Sequence, residues 1–149
     1  DATLVQYTND TATTYYATVR AWNAAGLSRD VSSDGLRFDG TPPEVVYVRD
    51  GYALDIEWQS FIDRLFGNWL FEDVSGIATH EVWWGTAPFT DDVLERTNVN
   101  ESTLYATLQD YNNVSLPLQA NVRYYLTVRA VNNAGLSAVA TSDGVLLGL

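Results

Sequence analysis

The groups able to do acid–base, nucleophilic or metal chemistry are few in kind along these 149 residues. His80 is the only histidine, and there is no cysteine and no lysine. Thiolate and amine nucleophiles, Schiff bases and Lys–Asn isopeptide crosslinks are therefore excluded. Carboxylates are abundant, and Asp91-Asp92 comes nearest to an acid–base pair. Adjacent carboxylates in a polar loop are ordinarily solvated, so the pair reads as surface. Asp63, Glu72 and Asp73, with Asp91 and Asp92, offer oxygen ligands for loosely bound Ca²⁺, but no spaced calcium loop is present. No glycine-rich phosphate loop follows a strand and opens a helix. The expectation is a chain with no catalytic residue, no resident metal and no cofactor. A non-enzymatic chain is expected.

The sequons carry a different kind of chemistry. Asn-x-Ser/Thr occurs at Asn9, Asn100 and Asn113, each a candidate acceptor for an N-glycan in a secreted protein. A net charge of −11 excludes nucleic acid as a partner, since nothing here neutralises a phosphate backbone. No stretch is long and apolar enough to span a membrane. An extracellular location is expected, with glycan or neighbouring modules supplying the stability that disulfides often give.

Two elements must position whatever these residues do, and they are copies of one another. Residues 15–28 read YYATVRAWNAAGLS and residues 124–137 read YYLTVRAVNNAGLS, an offset of 124 − 15 = 109 with three differences. Ser33-Asp34-Gly35 returns at the same offset as Ser142-Asp143-Gly144. Tyr124, Leu126, Val128 and Ala130 alternate with Tyr125, Thr127 and Arg129, the period-2 pattern of a half-buried strand. Asn-Asn-Ala-Gly then supplies turn residues. Ala2-Thr3-Leu4 recurs as Ala106-Thr107-Leu108, at an offset of 106 − 2 = 104, and the same offset carries Asn9 onto Asn113. A repeat of this length is one β-sandwich module. Residues 1–40 read as the last three strands of a module (residues 2–7, 14–22 and 27–38), and residues 41–149 as a complete one.

Thr41-Pro42-Pro43 is a stiff junction, because proline cannot donate to a ladder. Residues 44–49 form a first strand and Asp50-Gly51 a turn. Leu54, Ile56 and Trp58 alternate with Asp55 and Glu57 as a second strand, with Trp58 its core anchor. Residues 60–76 hold Phe61, Phe66, Trp69 and Phe71 around Gly67-Asn68. They read as an inserted aromatic segment, either a satellite core over one end of the sandwich or a docking surface. A platform for stacking carbohydrate is a third reading. Residues 77–84, with Trp83 and Trp84, form a third strand, and His80 is a core or rim residue of it.

Leu54-x-Ile56-x-Trp58 resembles the second strand of fibronectin type III modules, within the immunoglobulin-like sandwiches. Leu118, then Tyr124-x-Leu126-x-Val128-x-Ala130-x-Asn132-x-x-Gly135, resembles their penultimate strand. The resemblance implies an all-β, Greek-key β-sandwich, with Tyr124 the tyrosine-corner residue and Tyr15 its counterpart. Phe71-x-Asp73-x-Ser75-Gly76-Ile77 and Trp84-Gly85-Thr86-x-Pro88 are similar to tandem modules of large microbial surface proteins, mastigoneme-type fibre proteins among them. The function this implies is a structural subunit of an extracellular glycosylated fibre, built head to tail from copies of itself or adjacent modules. Tyr15, Val19, Phe61, Phe66, Trp69 and Phe71 are the expected assembly residues, and Trp58 and Tyr124 the core anchors. The missing first half of the module at residues 1–40 is supplied either covalently or by a neighbouring chain. An adhesion or carbohydrate-binding module, with Trp83 or Trp69 as stacking residue, is the alternative.

Overall fold

The computed structural model describes residues 13–100, 102–111 and 118–148. They form two compact units, Asp1–Thr41 and Pro42–Leu149. Among its described residues the first has the strands β1 (Thr14–Tyr15), β2 (Thr18–Trp22), β3 (Ser28–Ser32) and β4 (Leu36–Arg37). β1 pairs with β4 and β2 with β3, both antiparallel. Asn23 starts the β2–β3 turn: its Oδ1 accepts from the N–H of Ala25 and of Leu27, each at 3.0 Å. Gly26 completes the turn at φ +80°, where a Cβ would be strained.

The second unit runs β5 (Glu44–Asp50), β6 (Trp58–Gln59), β7 (Phe66–Glu72), β8 (Ile77–Gly85), β9 (Leu94–Val99) and β10 (Tyr105–Thr107). One short helical turn α1 (Leu108–Tyr111) follows, then β11 (Arg123–Asn132), β12 (Ser137–Thr141) and β13 (Val145–Leu147). One sheet has the order β10-β7-β5; the other runs β6-β13-β11-β8-β9, with β12 also paired to β11. The core between them takes Leu65, Trp69 and Phe71 from one sheet and its lead-in. It takes Val82, Trp84, Leu126, Val128, Ala130 and Leu147 from the other. The unit is an all-β sandwich of the fibronectin type III-like class expected, with β6 added in parallel at the edge of the second sheet. Each large apolar side chain removed from water here contributes roughly 1.5–3 kcal/mol.

The second strand of this sandwich is not where the pattern of Leu54, Ile56 and Trp58 puts it. That stretch is loop up to Glu57, only Trp58 belongs to β6, and Trp58 is 67% exposed. β6 runs parallel to β13, pairing Trp58 with Leu146. The true second strand is β7, inside the segment expected to be an insertion, and its buried anchor is Trp69 at 0% exposure. Gly67-Asn68 reads locally as a turn but lies mid-strand for two physical reasons. A Cβ on Gly67 would collide with Leu126 of the opposite sheet, so glycine is needed for close approach. Asn68 is buried because its side-chain amide donates to the Gly51 carbonyl at 2.9 Å.

Candidate functional site

β11 with its following turn is the second copy of the duplicated element, and it repeats the local hydrogen bonds of β2 and its turn. Asn132 Oδ1 accepts from Ala134 and Leu136 N–H at 3.1 and 2.8 Å, as Asn23 does from Ala25 and Leu27. Leu126 N–H donates to Ser142 Oγ at 2.9 Å, and Ser142 N–H to the Leu126 carbonyl at 2.8 Å. Ala17 and Ser33 make the same two bonds at 3.0 and 2.8 Å. Gly144 and Gly35 both lie at positive φ, and a Cβ on either would meet the tyrosine ring of Tyr125 or Tyr16.

In the second unit this element is held from the other half of its sandwich by two aspartates. Asp50, at the end of β5, accepts from Ser142 Oγ at 2.9 Å and from Gly144 N–H at 2.8 Å. Asp73, after β7, accepts from the Asn132 side-chain amide at 3.1 Å. Asp50 is buried, and burial pushes its pKa up to about 7. Its bonds to Ser142 and Gly144 oppose that rise, while Asp55 and Asp143 add to it. Carboxylate oxygens of Asp50, Asp55 and Asp143 lie within 4.8 Å of one another, a different acidic group from that expected at Asp63, Glu72, Asp73, Asp91 and Asp92. Asp92 is instead the acceptor for Thr86 N–H and for the hydroxyls of Thr86 and Thr90, which hold its carboxyl down at about 2.

Tyr124 is buried, and its hydroxyl accepts from Gln119 N–H at 2.9 Å, a tyrosine corner of the expected kind. His80 is a core residue, packed against Trp69 and Phe71 at ring-centroid distances of 5.8 and 6.1 Å. Burial pushes its pKa down; the Asn100 backbone counters this, outside hydrogen-bonding geometry with either ring nitrogen. The assembly residues divide. Val19 and Phe61 are exposed and Tyr15 and Phe66 are half-buried, but Trp69 and Phe71 are core residues and offer no docking surface. They turn inward because β7 is a central strand whose period-2 face meets β8 and β11 across the sandwich.

Trp83 is buried as well, under Arg96 at 4.6 Å, so neither indole named for carbohydrate stacking is accessible. Asn100 is exposed, with Oδ1 accepting from Ser102 N–H at 3.1 Å; Asn9 and Asn113 lie outside the described residues. The holding aspartates Asp50 and Asp73 were not legible beforehand. Asp50-Gly51 looks like any turn, and only the recurrence of Ser-Asp-Gly marked where its partner lies.

No family model matches this chain, and no curated protein matches it. Among solved structures, it resembles the FN1–FN3 domains of chicken CNTN1, with 17% identity and a TM-score of 0.42. That match covers 87% of this chain and 43% of the CNTN1 structure. A β-1,2-glucanase from Parabacteroides distasonis matches at 13% identity and TM-score 0.36, over 85% of this chain and 17% of the enzyme. The chain thus spans less than half of either structure. Among the described residues, no helix is long and apolar enough to cross a membrane.

Proposed function

We propose that this chain is a non-enzymatic structural segment of an extracellular, glycosylated surface fibre, assembled head to tail through completion of one β-sandwich by the next. One observation carries the reading. Val128 and Val19 hold the same place in the duplicated strand, and the first is 0% exposed while the second is 68% exposed. Trp22, Val31 and Leu36 are exposed with Val19 on the first unit. Strands with such faces and open edges are stable only when another sheet covers them. In the second unit β5 and β7 cover that face from the other sheet and β8 pairs the strand's edge, so the first unit is read as the last half of a module awaiting its first half. N-glycans on Asn9 and Asn113, at equivalent positions of the two modules, and on Asn100 belong to this reading. So does the likeness of the Phe71–Pro88 motifs to mastigoneme-type fibre proteins. Electron microscopy of the native extracellular material tests it. Beaded filaments with a bead the size of one sandwich are expected, and isolated compact particles would overturn the proposal.

A further inference from the structure

The first unit presents hydrogen-bond donors as well as an apolar face, and their identities specify what covers it. In the second unit, Ser142 hydroxyl and Gly144 N–H converge on one carboxylate, Asp50, and the Asn132 amide donates to a second, Asp73. The corresponding donors of the first unit are Ser33 hydroxyl, Gly35 N–H and the Asn23 amide. They are set in place by the same local bonds, Ala17 N–H to Ser33 Oγ and Ala25 and Leu27 N–H to Asn23 Oδ1. Among the described residues none of these three donors has an acceptor, and Ser33 is exposed where Ser142 is buried. Exposed donors are ordinarily satisfied by water, so their lack of a protein partner alone would mean little. What matters is that the receiving geometry has been retained in duplicate, at two separate points of one surface.

We infer that the first unit carries a two-point carboxylate-receiving site, Ser33 with Gly35 and Asn23, for aspartates on the first-half strands of a preceding module of this same kind. The occupant is thereby narrowed from any apolar sheet to a segment of the type of residues 42–104, with an aspartate closing its first strand and another following its second. Apolar cover of Val19 and Leu36 supplies the affinity, and the two aspartates fix the register. A one-residue slip of the incoming strand would carry both carboxylates away from their donors. A buried N–H left without an acceptor is costly, which makes the pairing selective. This inference rests on the reading proposed above and specifies the partner that reading leaves open.

The experiment extends the chain with its own sequence. Residues 42–104 are duplicated ahead of Asp1, where the 104-residue offset sets Asp1 at the place of Tyr105. Amide exchange and proton shifts are then read by NMR in the extended chain and in the 149-residue chain. The expected result is a Gly35 amide shifted downfield and exchanging at least ~100-fold more slowly. Replacing the added copy's Asp50→Ala should return Gly35 to fast exchange, and its Asp73→Ala should do the same for the Asn23 side-chain amide. Should the added copy's Asp50→Ala prevent folding, the Gly35 shift in the parent extended chain still decides. An Arg20 amide, which faces the open edge of β2, that becomes protected while Gly35 stays as in the 149-residue chain would mean cover without the carboxylate. That outcome overturns this inference and leaves the fibre reading standing. An Arg20 amide that exchanges as in the 149-residue chain would remove both.

Discussion

β2 and β11 are nearly the same strand in two environments. Each carries Thr-Val-Arg-Ala, each is followed by an Asn-capped turn with a positive-φ glycine, and each is tied to a Ser-Asp-Gly loop by the same serine. β11 lies between β8 and β12 with its face closed by the other sheet, whereas β2 pairs with β3 and exposes every residue. The difference teaches that turn chemistry and short-range pairing suffice to specify the hairpin, and that burial is a separate decision taken by distant residues. Local hydrogen bonds to the Asn side chain and the Ser hydroxyl are formed in both copies. The hydrophobic term, which dominates stability, is realised in the described residues of only one.

The widest gap between the copies should open on placing a charge at the shared valine. Val128→Asp buries a carboxylate with no partner and is expected to abolish the cooperative unfolding of the second unit. Val19→Asp should leave that transition where it is, as followed by tryptophan fluorescence in denaturant. An equal loss from the two would break the comparison. Trp69→Ala should cost about 3–5 kcal/mol through cavity formation. Trp58→Ala, at an exposed site, should stay within roughly 0.5 kcal/mol by the same measurement.

Asp50 gives the comparison a pH dependence. Its carboxyl titrates at about 7 in the folded chain, above its ordinary value. Between about pH 4 and 7 the folded chain therefore holds a proton that the unfolded chain has released. Its contribution to stability is largest below the unfolded value and is lost as pH rises through 7, by about 4 kcal/mol in all. The melting midpoint of the parent chain should thus fall between pH 5 and 7.5 more steeply than that of Asp50→Asn. Parallel curves for the two proteins would show that Asp50 is not the group responsible. A smaller effect belongs to Tyr124→Phe, which loses the Gln119 bond and should cost about 1 kcal/mol in the same melts. The smallest concerns the sequons: intact-glycopeptide mass spectrometry of native material should find sugar on Asn9 and Asn113, with little change in the midpoint on removing it. Unmodified asparagine at both sites would end that part of the proposal.

Much of the sandwich was legible because its signals are local. The alternation in residues 124–130 gave β11, and the fibronectin type III resemblance carried by Leu118 and Tyr124 implied the tyrosine corner, which the Gln119 bond realises. β7 was hidden because Gly67 and Asn68 carry the composition of a turn while their reasons for being in a strand come from elsewhere. One is Leu126, 59 residues on, and the other is the Gly51 carbonyl. The stretch from Leu54 to Trp58 misled in the opposite sense, since its period of two persists in a segment that no second sheet covers. Asp50 was invisible for the same reason as Gly67. Its meaning lies 92 residues away at Ser142.

The parallel pairing of β6 with β13 bears on how the second unit responds to tension. β13 is gripped along both edges, by β11 on one side and by Trp58 and Gln59 on the other. Leu146 and Gly148 N–H donate to the Glu57 and Gln59 carbonyls at 2.9 Å, and Leu147 N–H to Val122 at 3.1 Å. A pull on the chain beyond Gly148 therefore runs along the bonded edges of its last strand and loads these bonds together in shear. Bonds stretched in parallel share the load, whereas bonds at the end of a peeling hairpin take it one at a time. The short parallel strand is in this sense a mechanical clamp.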